Sequence, residues 1–197
     1  FGGVKLVTTG QGGMILCKKE EDYHKCYAVT NRGLLPNKKV NPFGLVGENY
    51  QLSEIQSVMA LAQLEDLEEF GQQREKAMVF LDSHLDKIEG LEIFKPFSGT
   101  QRRAQMRYSF KVNESIREDL LQFLLRKNLP VLKGYNSVNK EERLQGNFTK
   151  NENHPYSLQA QNSILSVFHP FLLEDNSRLL DLVDGILSFF KKPTVIN

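Results

Sequence analysis

Phe1-Gly-Gly-Val-Lys5-Leu-Val-Thr-Thr-Gly10-Gln-Gly-Gly13 is the stretch that decides how this chain is read. Five glycines in thirteen residues predict a loop, because backbone without Cβ atoms turns tightly and lets a ligand lie close. The run leads into Met14-Ile-Leu-Cys17, a short apolar segment with the texture of a strand. One lysine, Lys5, stands among the glycines. A lysine beside glycines is by itself compatible with an ordinary solvated side chain. A Walker A loop is excluded, since no Gly-Lys pair followed by Ser or Thr occurs here. A dinucleotide fingerprint fits poorly, because the glycines precede the predicted strand where that motif follows one and opens a helix.

Working outward, Lys18 to Arg32 carries charges around Tyr23, Cys26, Tyr27 and Val29, the spacing of a short amphipathic helix, with Gly33 as its stop. Residues 34–50 hold two prolines and two glycines with no period and predict a long loop. Ser53-Glu-Ile-Gln56 is a capping box and predicts a helix start. Ile55, Val58, Met59 and Ala62 continue at helical spacing. Asp66-Leu-Glu-Glu69 then opens a second, longer helix ending near Gly90. The Ile55 to Ile88 stripe is expected to be core or subunit interface. Beyond Gly90 the expectation is a small α+β unit. Its strands are placed at 91–94, 106–112, 129–132 and 164–168, with a helix capped by Ser115 and running to Asn128, and a final helix over 175–192. Residues 134–156 lack a period and are expected to be a surface excursion.

Composition narrows the function classes. The chain has 197 residues, 40% hydrophobic and 25% charged, which predicts a soluble globular protein able to bury a core. Twenty-five basic residues against 24 acidic ones leave a formal charge of +1, so no basic field exists to attract nucleic acid. No apolar run approaches the roughly 20 residues a membrane span requires. Cys17 and Cys26 have neither zinc-knuckle nor C-x-x-C spacing and are expected to be buried apolar residues in a reducing, cytoplasmic setting. His24, His84, His154 and His169 share no metal-ligand spacing, so no metal is assigned.

The segments of the first 74 residues acquire meaning together. Phe1-x-x-x-Lys5-x-x-Thr-Thr-Gly-x-Gly-Gly13, Gly47-Glu-Asn-Tyr50, Ser53-Glu-Ile-Gln56 and Leu61-Ala-Gln-Leu64 resemble, in order and spacing, the DegT/DnrJ/StrS family of nucleotide-sugar aminotransferases. These are fold type I pyridoxal-phosphate enzymes. The His154-Pro-Tyr156 to Phe168-His-Pro170 stretch resembles the family's closing segment. The resemblance implies an α/β fold: residues 1–64 as the end of the large cofactor-binding domain, 65–90 as a long connecting helix, and 91–197 as a small α+β C-terminal domain. It makes Lys5 the catalytic lysine joined to the pyridoxal 5'-phosphate aldehyde, a bond that needs a primary amine. It makes Asn49 a contact to the cofactor phosphate of a neighbouring subunit, which implies a homodimer with shared active sites. The implied substrates are a nucleotide-linked keto-sugar and an amino donor, glutamate.

Departures from the family pattern leave a second reading open. Gln51 stands where a basic residue is usual, and Gly2-Gly-Val4 where a histidine often lies between the Phe and the Lys. A non-catalytic or regulatory protein that keeps the fold would tolerate both. The family's ring-stacking residues and the carboxylate for the pyridine nitrogen have no counterpart in this chain. The chain is therefore expected to be a fragment, inactive alone.

Overall fold

The computed structural model describes residues 1–36, 43–138 and 154–191. The chain divides into two compact units, Phe1–Leu67 and Glu68–Asn197.

In the first unit, residues 1–19 form turns and loop, followed by α1 (Glu20–Thr30) and α2 (Glu54–Glu65). Three acidic residues in the first turn of α1 favour its N-terminal dipole, and Lys25 pairs with Glu21 one turn away at 2.6 Å. The helix closes where Arg32 and Gly33 both take positive φ and the Gly33 amide bonds the Ala28 carbonyl at 2.7 Å. The expected strand over 14–17 does not form: Met14, Ile15 and Leu16 are exposed, and no strand among the described residues pairs with them. An apolar run becomes a strand only where a partner satisfies its backbone groups. The expected capping box at α2 is present, with the Ser53 hydroxyl accepting from the Gln56 amide and the Gln56 side chain bonding the Ser53 amide.

The second unit begins within α3 (Leu67–Leu85), which stops five residues before the expected Gly90; a turn carries the chain to that glycine. Then follow β1 (Leu91–Ile93), β2 (Arg107–Val112), α4 (Glu114–Arg126), β3 (Val131–Lys133), α5 (Pro155–Ser163), β4 (Ile164–Phe168), a 3-10 turn at Phe171–Leu173 and α6 (Asn176–Phe190). The strands form one antiparallel sheet in the order β1-β2-β4-β3. Alternation puts Tyr108, Phe110 and Val112 of β2 on one face, where they join Leu165 and Val167 of β4 and Val131 of β3. Met78, Leu81 and Leu85 of α3, Leu120 and Leu124 of α4, and Leu182 and Ile186 of α6 complete this core.

Two start signals differ from expectation. Asn113, not Ser115, caps α4: its Oδ1 accepts from the Ser115 amide and hydroxyl at 2.9 and 2.8 Å. An amide oxygen two residues ahead of that N–H reaches it without bending the first turn. The excursion expected over 134–156 lies outside the described residues between 139 and 153, but α5 starts inside it at Pro155. Proline suits the first helical turn, and α5 is otherwise too evenly polar to reveal itself by period.

One segment without regular structure is tied to α3. Asp82 accepts from the Tyr108 hydroxyl at 3.0 Å and pairs with Arg102, while Glu75 accepts from the Arg102 amide and the Arg103 Nε at 3.1 and 3.2 Å. Burial, reinforced by the Asp82 carboxylate, pushes the Tyr108 hydroxyl far above the ordinary phenol range. Arg74 of α3 is 1% exposed, and its Nε and Nη1 have no hydrogen-bond partner. Burial pushes that guanidinium downward. Among the described residues no helix is long and apolar enough to cross a membrane.

Candidate active site

The glycine-rich loop is held by its own hydroxyls and by one helix. The Lys5 amide bonds the Gly2 carbonyl at 3.0 Å and the Thr9 amide bonds Phe1 at 3.2 Å, so residues 1–9 fold back on themselves. The Thr9 hydroxyl donates to the Gln11 carbonyl at 2.7 Å, and the Thr8 hydroxyl accepts from the Gly10 amide at 3.1 Å. Two glutamines of α2, seven residues and two turns apart, grip the loop from one side. Gln63 accepts from the Thr8 amide at 3.0 Å and donates to the Thr8 carbonyl at 2.7 Å, as a neighbouring strand would. Gln56 donates to the Gln11 carbonyl at 3.1 Å while its oxygen serves the helix cap. Val7 and Thr9 are buried against this support.

Lys5 lies on the other limb of the loop, with its side chain exposed. No hydrogen bond or ion pair engages its Nζ among the described residues. Positions where a Cβ would stand on Gly10 and Gly13 meet no protein atom within 4 Å, so the loop presents bare backbone on that side.

Asn49 is set by a different device. Residues 48–50 run beside the end of α1: the Glu48 amide bonds Val29, the Arg32 amide bonds Glu48 and the Tyr50 amide bonds Thr30, at 2.8, 3.0 and 3.0 Å. Asn31 and Asn49 form an antiparallel bridge at the centre of this pairing. Gly47 makes the approach possible, since a Cβ there would stand 2.2 Å from the Gly33 nitrogen and 2.4 Å from the Ala28 oxygen. The Asn49 side chain is exposed, and no hydrogen bond joins it to Lys5. Both sequence-assigned residues thus sit on the surface of the first unit, each on a braced segment.

Cys17 and Cys26 are half-buried free thiols, not the core residues expected from sequence. Partial burial, then hydrogen bonding between the two, pushes the Cys17 thiol up. His24 stands 3.9 Å from Glu20, His84 packs on Phe80, and His169 is buried beside Phe168. Among the described residues no cluster of three or more His, Cys, Asp or Glu could hold a metal ion.

Residues 1–178 match the model of the DegT/DnrJ/EryC1/StrS aminotransferase family. The chain belongs to this family. The chain is similar to the GDP-perosamine synthase of Caulobacter vibrioides, 32% identical over 117 residues, which are 59% of this chain and 31% of that protein. Among solved structures, 3-amino-5-hydroxybenzoic acid synthase superposes with a TM-score of 0.81 at 20% identity, over 95% of this chain and 52% of that one. The structure of ntda from Bacillus subtilis with bound cofactor PMP superposes with a TM-score of 0.74 at 15% identity, over 88% of this chain and 40% of that one. This family member therefore spans about half the length of the solved structures it matches. The mixed architecture with a small antiparallel sheet is that of part of the fold type I aminotransferases.

Sequence reasoning missed Gln63. The paired glutamines at 56 and 63 share one face of a helix that follows the glycine loop, a signal visible only once α2 is known to lie against that loop.

Proposed function

We propose that this chain carries the lysine-bearing part of a pyridoxal-phosphate-dependent aminotransferase that moves an amino group from glutamate onto a keto group of a nucleotide-linked sugar. The carrying observation is Lys5: an exposed primary amine, free of partners among the described residues, on a loop whose opposite limb is fixed by Gln56 and Gln63. The family's membership, a relative named for making a GDP-linked amino sugar, and a fold neighbour with bound PMP support this reading.

The residues present fit the aldehyde end of the cofactor. An exposed amine without a partner among the described residues can be joined covalently by an aldehyde without displacing a side chain. When bound, pyridoxal phosphate supplies an electron sink for the negative charge that develops as the amino group is passed. Displaced from the aldehyde by the donor's amine, Lys5 Nζ would carry the proton from the donor's α carbon to the cofactor's C4' carbon in one half-reaction, and from C4' to the sugar carbon that receives the amino group in the other. Gln63 fixes the backbone of Thr8, three residues from Lys5, which limits how far the loop that carries the amine can move.

Asn49 offers an amide N–H donor suited to a phosphate oxygen and serves the cofactor of a partner subunit in a homodimer. Exposed Val46, Tyr50, Ile55 and Val58 around it support an interface on this side. In this reading residues 1–64 close the large domain, 65–90 connect, and 91–197 form the small domain. The carboxylate for the pyridine nitrogen comes from outside these 197 residues, so the isolated chain does not turn over.

Borohydride reduction of the cofactor-loaded protein, followed by peptide mapping, is expected to place the adduct on Lys5. Lys5→Ala is expected to abolish the adduct. An adduct on any other lysine overturns the proposal, and a protein that takes up no cofactor is instead a non-catalytic relative.

A further inference from the structure

The second face of the sheet in Glu68–Asn197 carries a pocket that the aminotransferase reading does not use. Alternation along β2 turns Arg107 and Ser109 away from the core, and the register sets them opposite Phe168 and Ser166 of β4. The Ser109 and Ser166 hydroxyls bond each other at 3.0 Å, and Ser166 is 1% exposed although it lies off the core. After β3, Gly134 lies against β4: its amide bonds the Ile164 carbonyl at 3.1 Å, and a Cβ there would stand 3.2 Å from the Ile164 Cβ. That close approach brings the ring of Tyr135 to 4.3 Å from the Arg107 guanidinium, with Phe168 at 5.8 Å. Ser157 of α5, bonded to Ser137 at 2.8 Å, walls the far side. The cavity lined by Arg107, Ser109, Gly134, Tyr135, Ser157 and Ser166 has a volume of about 400 Å³.

The guanidinium inside it is held but not satisfied. Its face is taken by Tyr135, and Nη1 reaches the Lys133 carbonyl at 3.4 Å. Nε is buried and has no acceptor, and no carboxylate pairs with Arg107 among the described residues. Nη2 is not shielded in this way and donates to no acceptor among the described residues, so it is the donor that a charged oxygen can reach. A guanidinium left without an anion favours a ligand that supplies one. Ser109 lies two residues along the same face, roughly 7 Å away, and offers a hydroxyl that can donate or accept.

We propose that this pocket binds a small hydroxylated carboxylate of the sugar-acid class, its carboxylate on Arg107 Nη2 and a hydroxyl on the Ser109–Ser166 pair. Its lining residues all belong to the second unit.

Sodium D-glucuronate titrated into the protein, followed by calorimetry and by amide shifts in ¹H–¹⁵N spectra, tests it. Saturable binding in the millimolar range is expected for a ligand of this size, about –0.3 kcal/mol per heavy atom being usual. Shifts should centre on residues 107, 109, 134–136 and 166, while glucose, which lacks the carboxylate, should not saturate. Arg107→Lys keeps the charge but loses the fork and should bind about tenfold more weakly. Ser109→Ala, which leaves the guanidinium alone, should bind about threefold more weakly and serves if the Arg107 variant does not fold. No saturable binding, shifts centred elsewhere, equal affinity in Arg107→Lys or, where that variant does not fold, in Ser109→Ala, or equal occupancy by inorganic phosphate would each overturn the proposal.

Discussion

In Glu68–Asn197 the sheet and its helices enclose one continuous core, with Met78, Leu81, Phe110, Leu120, Leu124, Leu165 and Ile186 fully shielded. In Phe1–Leu67 the buried apolar residues are Val7, Ala28 and Ala60 among those described, while Met14, Ile15, Leu16, Val46, Ile55, Val58 and Leu61 face outward. The second unit is held by packing. The first is held by hydrogen bonds from side chains to backbone: Gln63 on Thr8, Gln56 on Gln11, Ser53 on Gln56. Burial acts at every apolar contact, whereas a net hydrogen bond contributes about 1 kcal/mol. A segment organised in the second way holds its shape only weakly, and its exposed apolar residues are surface available to a partner.

The sharpest test of that contrast is Phe110→Ala. Removing a fully buried ring from the centre of β2 is expected to lower the stability of the second unit by about 3–5 kcal/mol, read from the urea midpoint. A loss under about 1 kcal/mol would mean that the core does not carry this unit. A middle-sized effect is expected in the first unit from Gln63→Ala. Loss of both bonds to Thr8 should cost about 1–2 kcal/mol locally, seen as faster amide exchange at Thr8 and Gly10 with β2 and β4 unchanged. Faster exchange in β2 and β4 as well would contradict the independence of the two units.

The smallest effect is expected from acid. The Arg102 amide, then the Arg103 side chain, holds the Glu75 carboxyl below the usual carboxylate range. A folded-state value below the unfolded one stabilises above roughly pH 4.3, the unfolded value, and that contribution disappears as pH falls through the depressed value. Urea midpoints of the wild type and Glu75→Gln should therefore converge between about pH 5 and pH 3. Parallel curves would show that the Glu75 contacts do not form in solution.

Much of this architecture is legible from local pattern. The capping box at Ser53 and the 3.6-residue period of α3, α4 and α6 act within one or two turns, so each declares itself in sequence. The period-two texture of β2 does the same. Met14–Cys17 misleads for the opposite reason: a strand is defined by its neighbour, and none among the described residues pairs with it. α5 stays hidden because its nine residues show no apolar stripe and its N-terminus rests on Pro155. Lys5 and Asn49 are legible only through resemblance, because neither residue type is distinctive in a loop.

The sequence by itself determined α1 to α4, α6, the β2 strand and the family, since periods, caps and ordered motifs are properties of neighbours along the chain. Tertiary structure alone decided that Gln56 and Gln63 brace the loop of Lys5, that Gly47 admits residues 48–50 beside α1, and that Arg107, Tyr135 and Ser166 share a pocket. Each of these joins residues tens of positions apart, and such contacts exist only after burial has closed the chain between them.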